Sequence, residues 1–206
     1  MQPSPLAFRA AFVSAVAAAM ISPAHADQAA ETFVAGILEE ANAIFADNNV
    51  ASRDAAVETL VDRYVDMERV AKFALGQYVR QATPDQLAVY LPLFRRYATS
   101  VYQSTLETYS GQQLAVTDSI DRNERDIIVN SKVVGAKTGD RYANLVVSWR
   151  VYRKPDGAQA IVDAGAEGVW LAIEQQSQFK SIIANNGGGE KGIDALIADL
   201  KTKVNG

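Results

Sequence analysis

The sequence predicts an α+β fold, with helices packed on one face of a twisted antiparallel sheet. Three observations carry this. Apolar residues recur at helical spacing from Phe33 to Tyr109. After Gly111 the period changes from about 3.6 to 2. Helical spacing then returns for the last thirty or so residues, around Ile193, Leu196, Ile197 and Leu200.

Met1–Gln28 reads as a secretory signal peptide. Arg9 gives a weakly positive start, Ala10–Ile21 is an apolar run broken only by Ser14, and Ala24-His25-Ala26 is an A-x-A cleavage site. Cleavage there makes residues 1–26 the signal and 27–206 the mature domain, with a helical part at 28–110 and a sheet with C-terminal helices at 111–206. The apolar run is too short to span a bilayer, which takes about twenty residues. The mature chain is therefore expected to be exported.

His25 is the only histidine and leaves with the signal; the chain has no cysteine. Ser-His-Asp and Cys-His catalysis, structural zinc and redox disulfides go with them. The mature chain carries nineteen basic against twenty-four acidic groups. That balance argues against nucleic acid as a partner, which favours a basic face.

The elements follow in order. Phe33, Ile37, Leu38, Ala41, Ile44 and Phe45 form the stripe of a first helix, and "ADNNVASRD" interrupts it. Val57, Leu60, Val61, Tyr64 and Val65 mark a second. Asp66 is the expected N-cap of a short helix ending at Gly76. In "ATPDQ", Thr83 caps, Pro84 takes the first helical position and Gln86 completes a capping box. The helix it opens carries Leu87, Leu91, Phe94, Ala98 and Val101, with Tyr90, Tyr97 and Tyr102 beside them. Pro92 predicts a kink or break there, and so a candidate hinge.

Leu114, Val116 and Ile120 alternate, as do Ile127, Val129 and Val133. The clearest strand is Arg141–Arg153, with Ala143, Leu145, Val147, Trp149 and Val151 on one side. "KPDG" is a turn, so the next segment pairs as a hairpin. Val169, Leu171 and Ile173 are read as a last strand. A helix around Gln175–Ala184, a loop "NNGGGEKG" and the closing helix complete the chain.

Few polar constellations suggest chemistry. "NNGGGEKG" lacks the order of a phosphate loop. Asp118, Asp121, Glu124 and Asp126 lack the spacing and glycine of a calcium loop. Arg95-Arg96 and Arg150, Arg153, Lys154 are small basic clusters, either solvated or available for docking. Asp163 and Glu167 could do acid–base work in a secreted hydrolase, although nothing nearby supplies a nucleophile. The apolar inventory is richer: a helix with a wide apolar face laid over a sheet either fills its core or leaves a cavity.

At three places the chain resembles the MlaC-like family of periplasmic lipid carriers, named for toluene tolerance and maintenance of lipid asymmetry. Val65–Gln86 matches through Asp66, Leu75, Gly76, Arg80, Ala82 and Gln86. "LFRRYATSVYQSTLETYSG" matches through Phe94, Tyr102, Leu106, Tyr109 and Gly111. "VDAGAEGVWLAIEQQSQFKSII" matches through Asp163, Glu167, Gly168, Val169, Leu171 and Phe179. Trp170, Gln176 and Gln159 depart from the usual serine, arginine and tryptophan.

The resemblance implies a non-enzymatic carrier without cofactor or metal, with a deep apolar pocket for acyl chains. Its implied partners are phospholipid, an inner-membrane ABC transporter with a substrate-binding ring, and an outer-membrane lipoprotein complex. A hopanoid or other sterol-like lipid is the alternative cargo. Apolar faces nominate the pocket lining: Phe73 and Tyr78 from the short helix and the segment after it; Leu87, Leu91, Phe94, Tyr97, Val101 and Tyr102 from the long helix; Leu145, Val147 and Trp149 from the strand.

Overall fold

The computed structural model describes residues 27–46, 49–107, 113–136, 139 and 142–205. The expected signal peptide with His25, and the end of the long helix at Tyr109 and Gly111, lie outside the described residues, as does the side chain of Tyr102.

Helix α1 (Gln28–Phe45) begins at Asp27, whose carboxylate accepts from the Ala30 N–H. Helix α2 (Val50–Tyr64) starts within the stretch read as an interruption, because Asn49 caps it through the Ser52 N–H. Asp66 caps α3 (Met67–Leu75), and Gly76 ends it with φ +57, a conformation that suits glycine. A single 3-10 turn, Gly76–Arg80, leads to α4 (Pro84–Glu107). The capping box is formed: the Gln86 N–H donates to Thr83 Oγ1, and the Thr83 N–H donates to Gln86 Oε1, each at 3.1 Å.

Pro92 does not break α4, which is one helix from Pro84 to Glu107. The ring is exposed, and the Ala88 carbonyl it strands lies at an exposed position where water can serve it. Buried Tyr90, Leu93 and Phe94 hold the helix on either side.

Five strands form an antiparallel meander in the order β1-β2-β3-β4-β5: β1 (Gln113–Asn123), β2 (Asp126–Val134), β3 (Val146–Arg153), β4 (Gln159–Ala166) and β5 (Val169–Trp170). A register shift between Val116 and Asp118 changes which β1 side chains face inward. Ser119 is therefore buried and Ile120 is 49% exposed, the reverse of simple alternation. The strand expected over Val169–Ile173 stops at Trp170, and helix α5 (Leu171–Asn185) begins at once. Helix α6 (Gly189–Asn205) starts inside the glycine run, leaving only a short turn before it.

Two main regions of packing result, beside a smaller cluster of Val133, Leu145 and Val147. In one, α3, α4, α5 and α6 close around Tyr90, Phe94 and Phe179, whose ring centroids lie 5.7–6.4 Å apart. A Cβ at Gly192 would stand 2.3 Å from the Ile183 carbonyl, so glycine sets how closely α6 approaches α5. In the other, α1 lies over the sheet, with Ala30 and Val34 against Ile127, Val129, Val151 and Ile161. The two regions meet where Val65 bridges Ile161 on β4 and the Asp66 N–H donates to the Ile161 carbonyl.

Candidate functional site

A cavity of about 320 Å³ lies between α1, α2 and the sheet. The α1 stripe that fills the core at Ala30 and Val34 continues past it as Ile37, Leu38, Ala41, Ile44 and Phe45, and these line the cavity. Val57, Leu60, Val61 and Tyr64 of α2 form the opposite wall. The sheet contributes Val147 and Trp149 of β3 and Ile161 at the start of the β4 stretch.

The polar side chains in this lining are committed elsewhere. Asn42 exchanges two hydrogen bonds with the Leu114 backbone, at 3.3 and 3.4 Å, which holds α1 to β1. The Tyr64 hydroxyl donates to Glu40. The Trp149 indole N–H donates to Ser131 Oγ at 2.9 Å, and that hydroxyl donates to the Val147 carbonyl at 3.1 Å. What remains for a ligand is mainly hydrocarbon, so the cavity recognises apolar matter through burial and shape.

Asp163 also borders the cavity. One carboxylate oxygen accepts from the Ala164 and Ala172 N–H groups, each at 2.9 Å. It thereby caps the start of α5, where Trp170 provides no side-chain cap. Burial pushes its pKa above the ordinary carboxylate range, although these two N–H groups and Arg150 pull the other way. Glu167 is exposed in the β4–β5 turn with φ +51. Asp163 thus has a structural task, and Glu167 sits in a solvated turn. Among the described residues no group of three or more His, Cys, Asp or Glu could hold a metal ion.

Three arginines of the basic clusters brace the fold. Arg95 forks onto Asp62, joining α4 to α2. Arg150 forks onto Asp126 with two bonds of 2.8 Å. Arg153 pairs with Asp27 at the start of α1.

The nominated residues divide among these regions. Val147 and Trp149 line the cavity, and Leu145 packs beside Val147. Tyr78, Phe94 and Tyr97 are buried in the helical core, with Leu87, Leu91 and Val101 packed against it. Phe73 is 38% exposed on α3. None of the described lining belongs to α4, so a hinge at Pro92 would not act on a described wall. The walls that went unnominated are α1 and α2. Their signal was present in the α1 stripe, whose last turns stay apolar beyond the residues that fill the core.

The family model of the MlaC protein matches residues 28–202. The chain belongs to the MlaC family. A solved structure of a phospholipid-binding protein from Ralstonia solanacearum, in complex with a phospholipid, is similar with a TM-score of 0.70 at 23% sequence identity. The match covers 85% of this chain and 97% of that one. At this identity the likeness shows a shared fold.

Proposed function

We propose that this MlaC-family protein is a non-enzymatic periplasmic carrier that buries the acyl part of a phospholipid between α1, α2 and the sheet. The observation that carries the reading is the apolar cavity of about 320 Å³, whose polar side chains are largely occupied with holding its walls together. The phospholipid bound to the similar Ralstonia solanacearum protein supports the same reading.

Each buried methylene stabilises the complex by about 0.8 kcal/mol. A chain of about a dozen carbons then contributes on the order of 10 kcal/mol before the costs of association. Such a ligand leaves slowly, and delivery requires an acceptor. The proposed acceptor and donor are an inner-membrane ABC transporter with its substrate-binding ring and an outer-membrane lipoprotein complex. Export through a signal peptide cleaved after Ala26 places the carrier between them.

Native mass spectrometry of mature protein purified from the periplasm, followed by lipid extraction, tests this. A stoichiometric phospholipid is expected. A bound hopanoid would change the cargo and keep the carrier. Ligand-free protein that also takes no lipid from phospholipid vesicles would overturn the reading.

A further inference from the structure

Helix α2 is fastened differently from the other walls of the cavity. Its buried apolar side chains among the described residues, Val57 and Val61, both line the cavity, and neither belongs to a packed cluster. Half-buried Leu60 and Tyr64 line it as well and touch the core of α1 and the sheet from its margin. The apolar face of α2 therefore rests largely on space that a lipid would fill. Helix α1, by contrast, puts Ala30, Val34, Ile37 and Leu38 into the core against the sheet.

The firm attachments of α2 are polar. On one side, Arg63 and the Tyr64 hydroxyl donate to Glu40 of α1. On the other, Arg95 of α4 forks onto Asp62 through Nε and Nη2, and Nη2 also lies 3.7 Å from Glu58, one turn earlier on α2. A forked guanidinium–carboxylate bond is directional and stronger than a single exposed pair, and the second carboxylate extends it into a small network. Arg95 itself stands on a rigid base, because its neighbour Phe94 is fully buried in the helical core. At the C-terminal end of α2 the chain leaves helical geometry at Val65, with φ −98 and ψ 128, and is pinned to Ile161 on β4. Helix α2 can thus turn about Val65 without opening a packed core, once its ion pairs part.

We propose that Arg95 is a positioning residue for lipid transfer: by holding Asp62 and Glu58 it keeps α2 closed against the cavity and sets how fast lipid enters and leaves. The inference rests on the carrier reading and deepens it. Arg95 is not part of the cavity lining, so it acts through α2 and not by touching the ligand. The ion pairs are made between protein groups alone, so weakening them should speed entry and release alike and leave the equilibrium nearly unchanged.

The experiment follows a fluorescent phosphatidylcholine passing between mature protein and phosphatidylcholine vesicles, in both directions, together with its partition at equilibrium. Arg95→Gln and Asp62→Asn should each transfer about fivefold faster both ways, with partition within about twofold of wild type. Arg95→Asp should also be fast, and adding Asp62→Arg should rebuild a pair of reversed sign and slow transfer again. A substitution that merely loosened the fold would gain nothing from that second change. The chain has no cysteine, so Asp62→Cys with Arg95→Cys can be joined by a short bifunctional methanethiosulfonate. Lipid loaded beforehand should then stay in place, transfer should nearly stop, and reduction of the linker should restore it.

Linked protein that transfers lipid as fast as its reduced form would overturn the assignment while leaving the carrier intact. So would Arg95→Gln with wild-type rates, or with a changed rate in one direction only. Wild type that neither binds the probe nor takes phospholipid from vesicles would instead overturn the carrier reading itself.

Discussion

Arg150 has an aspartate on each neighbouring strand, and the two titrate in opposite senses. Its guanidinium forks onto Asp126, and that hydrogen bond, against the opposing effect of burial, holds the Asp126 pKa below the ordinary range. Asp126 therefore contributes stability above the pKa of the unfolded carboxylate and loses it as pH falls through the lower folded value. Asp163 is the reverse, because burial raises it. The folded chain binds that proton more readily than the unfolded one, so its contribution falls as pH rises through the interval up to the raised value. Urea midpoints measured from about pH 3 to pH 7 should separate them. Asp126→Asn should lose about 2 kcal/mol at neutral pH and flatten the acid limb. Asp163→Asn keeps an oxygen for the α5 cap and removes the buried charge, so it should match or exceed wild type at neutral pH. Asp163→Ala loses the cap and should cost about 1–3 kcal/mol. A hydrolase built on Asp163 would instead show activity that both substitutions abolish. The sequence offered this residue as a possible acid or base because a carboxylate's type is legible, whereas its partners, one of them nine residues ahead on α5, are not.

At the scale of elements, the sequence was most informative where the signals are local. The caps at Asp66 and Thr83, the turn at Lys154–Gly157 and the closing helix all form as their neighbouring residues dictate. It misled where a distant partner decides. Leu171 and Ile173 alternate with Val169 like a strand, yet Asp163 on β4 supplies the cap that lets α5 start at Leu171. Ile120 fits the alternation, but the irregularity near Thr117 turns it outward. The same contrast governs the start of α4. Thr83 serves one local bond, whereas Gln86 also donates from its side chain to the Glu190 carbonyl at 2.8 Å and to Asp194 Oδ1 at 2.7 Å on α6. Thr83→Ala should cost about 1 kcal/mol, the usual loss of a cap. Gln86→Ala removes the box and both ties to α6, and should cost about 2–3 kcal/mol. Equal costs in chemical denaturation would mean that the link to α6 carries no stability.

At the scale of the molecule, the fold divides into a solid part and a hollow part. The solid part is the layer of α3–α6 around Tyr90, Phe94 and Phe179. The hollow part is α1, α2 and the sheet, filled around Ala30, Val34, Ile127 and Val129 and holding the cavity beside that packing. Helical spacing located apolar faces in both but could not say which face would meet another and which would be left without a neighbour. That is why six pocket nominations fell on the long aromatic helix, five of whose side chains the structure packs in or against the solid core. The division predicts where a bound lipid acts. A ligand that binds only the folded chain at a free concentration of a hundred times its Kd adds about 2.7 kcal/mol. For a domain of this size that is a rise of roughly 5–10 °C in Tm. Because the cavity is lined mainly by α1, α2 and the sheet, with Val70 of α3 and Leu171 of α5 the described contributions of the other layer, the protection should be unequal. Removing it should speed hydrogen exchange at amides of α1 and α2, where Ile37, Ala41, Leu60 and Val61 lose their partner atoms. Amides of α4 and α6 should change little, since Phe94, Leu196 and Leu200 touch none of the space vacated. Exchange that quickened equally in both parts would mean that lipid stabilises the molecule as one cooperative unit. Exchange that quickened only in α4 would move the binding site to the helix the sequence favoured.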